Sequence, residues 1–270
     1  MTRQIHIADP ADPRLHDYRE VRERDIAGRE GFVAEGQMVL EKVIRAGRHP
    51  LRSVLVAKKR LAGLEELLAE LPEGVPVYVA GQEVMDTVVG FPIHRGILAV
   101  GERRPVNAAT LLAGLSERAI VVALAGIANH DNMGGLFRNA AAFGAEAVLL
   151  DETCCDPLYR KAIRVSVGAA LTTPFAQAGS AEDLCRMLTQ NGFSVVALSP
   201  QGVLDLTDLK PPPRVAALFG AEGPGLAPAL LDSVQSVRIA MAGGFDSLNV
   251  ATSSGIVLHH LAASRRGELL

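Results

Sequence analysis

Three stretches of this chain combine glycine and other small residues with polar side chains: residues 129–140, 219–226 and 239–250. Glycine lets a ligand approach the main chain closely, and polar groups can orient that ligand or help to remove a proton from it. Since the pKa of a guanidinium lies above ~12, an arginine suits phosphate binding or stabilisation of a negative charge better than proton abstraction. The first stretch contains such an arginine, Arg138.

Each of these stretches follows an apolar segment that predicts a strand: residues 119–125, 215–219 and 234–239. Strands separated by helices predict a parallel sheet whose ligands bind at the carboxyl ends of the strands. The glycine-rich loops at residues 220–225 and 241–247 are therefore expected at the ends of neighbouring strands, where they would form a pocket.

Arg138 is expected to project from the helix that follows the first of these strands. At about 100° per residue, Leu136, Ala140 and Phe143 share one face of that helix, and Arg138 points away from it. Arg138 then leaves the core near the strand ends. A surface arginine paired with a carboxylate is the alternative interpretation of this residue taken alone.

The remaining segments predict two α/β domains, residues 1–105 and 106–270. In the first domain we expect an exposed helix at 14–30, strands at 32–34, 53–57, 75–79 and 96–100, and helices at 37–46, 61–71 and 82–89. In the second we expect further strands at 147–150, 174–175 and 194–198, and helices at 134–143, 158–167, 181–191 and 248–265.

The composition, 49% hydrophobic and 21% charged, indicates a soluble globular protein. No apolar run approaches the ~20 residues that span a bilayer, and the first residues lack an apolar leader, so we expect a cytoplasmic protein without a membrane partner. Cys154, Cys155 and Cys185 lack CxxC spacing and are expected to be reduced and structural. Because the histidines are scattered, no metal site is expected.

The net charge of −3 conceals a local basic surface. Residues 42–60 contain seven basic and no acidic residues, whereas residues 65–86 contain six acidic and no basic ones. A basic face on a mildly acidic protein suits a surface that tracks phosphates. A solvated face without a partner is the alternative.

The closing helix is apolar nearly all round. Its two apolar sides are formed by Val250, Val257 and Leu261, and by Ala251, Leu258 and Ala262. A helix that is hydrophobic on every face must be buried, either in its own core or against a partner chain. We therefore predict a homodimer with this helix in or near the interface.

Several nucleotide and hydrolase motifs are missing from the sequence. GxGxxG is absent after the first strand of either domain, and neither GxxxxGK[ST] nor GxSxG occurs. A dinucleotide-dependent enzyme of Rossmann type is therefore the weaker alternative.

The three polar stretches, in their order, resemble the signature motifs of the SpoU/TrmH family of the SPOUT superfamily, which are RNA ribose 2′-O-methyltransferases. The matching segments are Asn132-Met133-Gly134 with Arg138, Phe219 to Leu226, and Ile239-Ala240-Met241 with Ser247 to Val250. The segments FVAEG (32–36) and HRGILA (94–99) are similar to the family's small substrate-binding domain. The motifs that carry the resemblance lie within residues 120–258, which is about half the chain.

The resemblance implies an α/β trefoil knot with a mostly parallel sheet in residues 106–270, S-adenosylmethionine bound by the knot loops, and a homodimer whose active site draws on both chains. It implies that the cofactor is bound by Leu198, Gly220, Ile239 and Leu248. Arg138 matches the catalytic arginine, and the residues expected to hold it and the ribose are Asn132, Glu222, Ser247 and Asn249. In the RNA-binding domain, residues 1–105, the candidate contacts are Lys42, Arg45, Lys58, Lys59 and Arg60.

Three departures from the family pattern leave the core polar groups in place. Asn139 stands where the family usually has Thr or Ser, Ala240 replaces the usual Pro, and the lead-in at residues 129–131 is unusual. The resemblance therefore implies an S-adenosylmethionine-dependent RNA 2′-O-ribose methyltransferase, with rRNA favoured over tRNA. A catalytically silent RNA-binding protein on the same fold is the alternative.

Overall fold

The computed structural model describes residues 4–19, 31–221, 223, 225–243 and 246–266. The chain forms two compact units, one of Met1–Arg104 with Leu158–Thr172 and one of Pro105–Pro157 with Thr173–Leu270. The predicted boundary at residue 105 left residues 158–172 in the second domain, whereas the structure packs them with the first unit. The α/β fold class is confirmed, and the knot stays a prediction from the resemblance.

Within the described residues, the first unit contains a five-stranded sheet in the order β1-β4-β3-β5-β2. Its strands are β1 (Gln4–Ile7), β2 (Gly31–Glu35), β3 (Leu51–Ala57), β4 (Val77–Ala80) and β5 (Ile97–Glu102). β5 runs antiparallel to both β2 and β3, and the other pairs are parallel. The helices are α1 (Gln37–Ala46), α2 (Glu65–Ala69) and α3 (Gln82–Val89), with 3-10 helices at Pro13–Tyr18 and Lys58–Gly63.

Two predicted helices of the first unit differ in the structure. The helix expected at 61–71 is divided into the 3-10 helix Lys58–Gly63 and α2. The segment expected to be an exposed helix at 14–30 contains a short 3-10 helix, and residues 20–30 lie outside the described residues. Leu15 and Tyr18 are fully buried there in the hydrophobic core, and the Tyr18 hydroxyl shares a 2.7 Å hydrogen bond with Ser53.

The second unit contains a parallel seven-stranded sheet within the described residues, in the order β10-β12-β9-β11-β6-β7-β8. Its strands are β6 (Ile120–Leu124), β7 (Ala147–Leu150), β8 (Phe175–Gln177), β9 (Ser194–Leu198), β10 (Leu204–Asp205), β11 (Val215–Phe219) and β12 (Gln235–Arg238). The helices are α4 (Ala108–Ala113), α5 (His130–Ala142), α8 (Ala181–Gln190), α9 (Pro228–Ser233) and α10 (Val250–Arg266), with a 3-10 helix at Leu206–Asp208.

The central strands of this sheet are as buried as their β-branched and apolar sequences predict: every residue of β6, β7 and β11 is buried. The sequence analysis missed α4, α9 and the two-residue strand β10, all of them short. Among the described residues, none of the helices is both long enough and apolar enough to span a bilayer.

The segment that joins the first unit forms α6 (Arg160–Val165) and α7 (Ala169–Thr172). Arg160 donates a 2.7 Å hydrogen bond to Glu35 of β2, and the two side chains are only 11% and 8% exposed. The guanidinium also lies over the ring of Phe91, 4.6 Å from its centroid. A buried ion pair thus fixes a segment that the sequence assigns to the second domain onto the sheet of the first unit.

Candidate active site

A cavity of about 350 Å³ opens where three adjacent strands, β12, β9 and β11, end. All four residues predicted to bind the cofactor line it: Leu198, Gly220, Ile239 and Leu248. The other lining residues are Ser199, Pro200, Phe219, Ala221, Gly223, Gly225, Val237, Met241, Ser247, Asn249, Val250 and Ser253. The cavity has the mixture of apolar walls and a few polar groups that is typical of small-molecule sites.

The prediction that the two glycine-rich loops follow neighbouring strands is wrong. β9 lies between β11 and β12, pairing in parallel with both. Strands that follow one another in the chain are often separated in a parallel sheet, because each crossover can skip a position. The end of β9 therefore supplies Leu198, Ser199 and Pro200 to the middle of the cavity.

The loop after β11 is held tightly by its own backbone. The N–H of Gly225 donates a 3.2 Å hydrogen bond to the carbonyl of Ala221. Gly223 and Gly225 have φ angles of +90° and +66°, which glycine adopts at little cost. A Cβ on Gly220 would lie 2.8 Å from the backbone nitrogen of Leu226, so the loop closes only around glycine there. The predicted site residue Glu222 lies outside the described residues.

Asn249 connects the third polar stretch to the first. Its Oδ1 caps α10 by accepting hydrogen bonds from the N–H groups of Ala251 (2.9 Å) and Thr252 (3.3 Å). Its Nδ2 donates a 2.8 Å hydrogen bond to the Oδ1 of Asn132 on α5. Asn132 is buried, whereas Asn249 and Ser247 are exposed at the cavity.

α5 begins earlier than predicted, at His130, because Asn129 caps it. The Oδ1 of Asn129 accepts from the N–H groups of Asp131 (2.7 Å) and Asn132 (3.3 Å). Asn132 therefore lies in the first helical turn, and its side chain can turn inwards towards the start of α10. The lead-in at residues 129–131 is thus a helix start.

Arg138 is exposed on α5, while Leu136 and Ala140 are fully buried, as the helical periodicity predicts. Six residues separate it from Asn132, which is roughly 9 Å along the helix axis. It is not among the described residues that line the cavity of its own chain. The structure therefore joins Asn132, Ser247 and Asn249 at one place and leaves Arg138 further along the surface of α5.

The sequence analysis missed Asp151, which directly follows β7. Its buried carboxylate accepts hydrogen bonds from the Gly126 N–H (3.1 Å) and from the N–H and hydroxyl of Thr153 (3.0 and 2.9 Å). A Cβ on Gly126 would lie 3.2 Å from the Cβ of Ala221, so Asp151 fixes a loop that packs against the cavity wall. A polar residue immediately after a wholly apolar strand is the sequence signal that could have identified it.

The described lining residues carry no charged side chain. Nearby, the Cys154 thiol lies between the carbonyl of Leu124 and the N–H of Ile127, each 3.4 Å away, and burial raises its pKa to about 12. Burial likewise raises the pKa of Cys155 and of Cys185 to about 11. All three thiols are therefore protonated near neutral pH and are poor nucleophiles. Within the described ranges, no group of three or more His, Cys, Asp or Glu could hold a metal ion.

The basic run of residues 42–60 does not form one surface, because β3 passes through it. β3 has seven residues, so its ends lie roughly 20 Å apart. Arg48 and Arg52 lie at its start, whereas the exposed Lys58, Lys59 and Arg60 follow its end. Arg45 faces two carboxylates, Glu41 at 2.5 Å and Glu70 at 3.3 Å, and Lys42 is half-buried.

Arg95 joins the basic residues at the end of β3. The Cγ of Arg60 lies 3.3 Å from where a Cβ on Gly96 would be, because β5 starts beside the end of β3. The guanidinium of Arg95 donates a 3.5 Å hydrogen bond to the carbonyl of Glu35. Four cationic residues, Lys58, Lys59, Arg60 and Arg95, thus gather at one end of the first unit's sheet, which we call the strand-end basic cluster.

Comparison with known proteins gives concordant results. The SpoU rRNA Methylase family model matches residues 119–259. An uncharacterized tRNA/rRNA methyltransferase of Mycobacterium bovis is 38% identical over 269 residues, which cover 96% of this chain and 91% of that protein. The 23S rRNA (guanosine-2′-O-)-methyltransferase RlmB of Photobacterium profundum is 30% identical over 209 residues, 75% of this chain and 85% of that protein.

Among solved structures, the AdoMet-bound rRNA methyltransferase of Sinorhizobium meliloti superposes with a TM-score of 0.83. The match covers 99% of both chains at 24% sequence identity. At 24% sequence identity the similarity concerns the fold alone. The matched residues include both compact units.

Proposed function

This chain belongs to the SpoU rRNA methylase family, and we propose that it transfers a methyl group from S-adenosylmethionine to a ribose 2′-hydroxyl of structured RNA. Membership of the family makes it an S-adenosylmethionine-dependent RNA methyltransferase. The 2′-oxygen as acceptor, the choice of rRNA over tRNA and the roles of individual residues are our proposal.

The observation that carries the proposal is the convergence of Leu198, Gly220, Ile239 and Leu248 on one cavity whose described lining residues are uncharged. The apolar walls fit an adenine ring, and the main chain of the loop after β11 can read the edge of that ring. The described lining residues include no lysine or arginine that could pair with the pyrophosphate of a dinucleotide, which favours a cofactor without one. The residues present therefore fit S-adenosylmethionine, which when bound supplies a methyl group for in-line attack by an oxygen nucleophile.

We assign the handling of the ribose to polar groups at the rim of the cavity. Ser247 and Asn249 are exposed there, and Asn249 is held by Asn132. Hydrogen bonds from these groups can orient the 2′-hydroxyl in line with the methyl group, which is the main entropic contribution that a protein makes to such a transfer. Glu222, in the loop after β11, is assigned to the same set.

Arg138 is assigned to the RNA phosphate or to the alkoxide that develops on the 2′-oxygen. A guanidinium stays charged at any physiological pH, so it stabilises negative charge without taking the 2′-hydroxyl proton, which passes to solvent water at the rim of the cavity. Because Arg138 is exposed and does not line the cavity of its own chain, we propose that it completes the site of a second copy. The residues that would hold S-adenosylmethionine then come from one chain and the arginine from its partner.

The homodimer in this proposal uses the exposed side of α10 beside α5. The sequence predicted a helix buried all round, and the structure buries Val257, Leu258 and Leu261 completely in the helix's own unit. Ile256 on α10 is 39% exposed, so an apolar side chain of this helix is available to a partner.

RNA binding is assigned mainly to the strand-end basic cluster. Lys58, Lys59 and Arg60 are exposed on one short helix, and exposed cations next to one another suit contact with successive phosphates. Lys42 and Arg45 stay in the proposed surface as weaker contributors, because two carboxylates already compensate Arg45. The likeness to a 23S rRNA guanosine-2′-O-methyltransferase supports rRNA as the substrate.

The proposal is tested with purified protein, tritiated S-adenosylmethionine and total RNA, followed by mapping of 2′-O-methyl sites. We expect the tritiated methyl group to be incorporated into RNA. It should stay with the RNA when the bases are removed, and it should map to a ribose. The Arg138→Ala variant should bind S-adenosylmethionine normally by calorimetry and transfer no methyl group. Label on a base would overturn the 2′-O assignment, and RNA binding without any transfer would identify a catalytically silent RNA-binding protein.

A further inference from the structure

Asn139, the residue after Arg138, bridges the two helices that flank the candidate site. Its Nδ2 lies 2.6 Å from the carbonyl oxygen of Ala251 and 2.8 Å from the Oγ of Ser254, both on α10. Ser254 is fully buried and its hydroxyl donates to the same Ala251 carbonyl at 2.8 Å. The side-chain amide of Asn139 on α5 therefore reaches across to α10 of the same chain and binds its main chain. The shorter hydroxyl side chain of a Ser or Thr at this position would lie further from the Ala251 carbonyl.

The two helices are also packed unusually closely at this place. A Cβ on Gly135 would lie only 2.6 Å from the Cβ of Ala251, and one on Gly255 would lie 3.4 Å from the Nδ2 of Asn139. Glycines on both helices thus allow the close approach that the amide of Asn139 needs. Together with the hydrogen bond from Asn249 to Asn132, these contacts form a seam along one face of α5: Asn132, Gly135 and Asn139.

The seam fixes the part of the cavity that precedes α10. Asn249 caps that helix, so Ser247, Leu248 and Asn249 move with its first turn. All three line the cavity. A rotation or slide of α10 against α5 would therefore displace the cavity wall relative to Arg138 and its helix.

We infer that Asn139 is a positioning residue that holds α10, and with it the cavity-lining residues 247–249, in a fixed place against α5, the helix whose Arg138 the proposed function assigns to the cavity of a second copy. The inference rests on the proposed function only for the role of Arg138. Its effect on cofactor affinity follows from the cavity alone. The same geometry accounts for the presence of Asn where the family usually has Ser or Thr.

The Asn139→Asp variant tests this directly, because the side chain keeps its shape and loses its donor. The two hydrogen bonds that the amide donates are lost and the carboxylate would face the Ala251 carbonyl, so we expect about tenfold or greater weakening of S-adenosylmethionine binding. We expect the rate of methyl transfer to fall at least as much. The half-buried site and the facing carbonyl raise the pKa of this carboxyl above its usual value, and the protonated form regains a donor, so the activity of the variant relative to wild type should rise as the pH is lowered towards about 5.

Two further variants separate positioning from general stability. Asn139→Ala introduces no charge and should show the same losses without the pH-dependent recovery. Asn191→Asp is the matched control, since Asn191 also donates to a main-chain carbonyl (Met187, 2.8 Å) but at the far end of α8. It should leave cofactor affinity and the pH profile unchanged.

Unchanged affinity and rate in both Asn139 variants would overturn the inference. So would losses that follow the melting temperature alone, with a pH profile parallel to that of wild type. If wild-type protein bound S-adenosylmethionine but methylated no ribose, the proposed function would fail, while the affinity measurements would still decide the role of Asn139.

Discussion

The side chains of Asn132 and Asn249 are joined by a 2.8 Å hydrogen bond across 117 residues of chain. The two polar atoms of the Asn249 side-chain amide have different partners: Oδ1 caps α10 and Nδ2 donates to Asn132. One residue thereby starts the closing helix and ties it to the first turn of α5. The two functions can be separated by a substitution that changes only one end of the side chain.

Asn249→Asp should retain the cap and lose the bridge. Asp is as good an N-cap as Asn, so the melting temperature should change little. The donor to Asn132 is lost, and we expect methyl transfer to fall about tenfold, which corresponds to ~1.4 kcal/mol. Asn107→Asp, at the cap of α4, is the control and should behave as wild type. A large loss of stability in Asn249→Asp would contradict this division of roles.

A second prediction concerns two inactive variants that should restore activity when mixed. Arg138→Ala keeps the cavity, and Gly220→Leu should block it because even a Cβ at Gly220 meets backbone 2.8 Å away. If Arg138 serves the partner's cavity, a heterodimer of the two variants has one complete site. We therefore expect methyl transfer to reappear after the two proteins are unfolded and refolded together. A mixture as inactive as its components would show that Arg138 acts within its own chain.

The local parts of the fold could be predicted from the sequence because they depend on short-range patterns. Helices α1 and α3 and strands β7, β9 and β11 have the predicted bounds, since period and flanking glycines define them. The segment at 158–172 could not be placed, because the Glu35–Arg160 ion pair joins residues 125 positions apart. The position of β9 between β11 and β12 is likewise a property of the crossovers and not of any local pattern.

The motif residues that line the cavity could be predicted from the sequence. The contacts between helices α5 and α10 could not. Leu198, Gly220, Ile239 and Leu248 line one cavity, and their binding of the cofactor stays a prediction. The contacts of Asn139 with α10 depend on glycines at 135 and 255, whose relation is visible only once both helices are placed. The basic run was continuous in sequence, but a strand of seven residues separates its charges in space.

A third prediction addresses the strand-end basic cluster. The triple variant Lys58→Glu, Lys59→Glu, Arg60→Glu should weaken RNA binding and flatten its salt dependence. Each lost phosphate contact lowers the slope of log affinity against log salt by ~0.7–0.9. Fluorescence anisotropy with a structured RNA at several salt concentrations measures both quantities. Arg45→Glu should have a smaller effect because Glu41 and Glu70 already compensate that charge, and an equal effect would refute the assignment.

A fourth prediction concerns the stability of the first unit. Arg160→Ala leaves the buried carboxylate of Glu35 without its arginine, and breaking a buried pair in this way costs about 3–5 kcal/mol. Chemical denaturation should therefore show a large loss of stability. Arg186→Ala is the control, because its ion pair with Asp183 is exposed (62% and 47%) and such pairs contribute about 0–1 kcal/mol. Similar losses in the two variants would mean that the Glu35–Arg160 pair is not important for the fold.

The last prediction is the effect of pH on stability through His49. This side chain is 5% exposed, its Nδ1 lies 3.2 Å from the Glu102 carbonyl, and its ring packs edge-on against Phe32. Burial lowers the pKa of His49 below its usual 6.5, and three nearby arginines act in the same direction: Arg48, Arg104 and Arg103. The unfolded chain therefore binds a proton more readily than the folded one. The contribution of His49 to the free energy of unfolding is fully present above pH 6.5. It is lost as the pH falls towards the lower pKa of the folded state.

We accordingly expect the melting temperature of wild type to fall between about pH 8 and pH 5, partly through this residue. His49→Asn, whose amide can take the place of Nδ1, should reduce that fall. His6→Asn, on the exposed side of the edge strand β1, should leave it unchanged. Melting curves recorded in steps across this range test the point, and curves for wild type and His49→Asn that stay parallel throughout would rule out His49 as a source of the pH dependence.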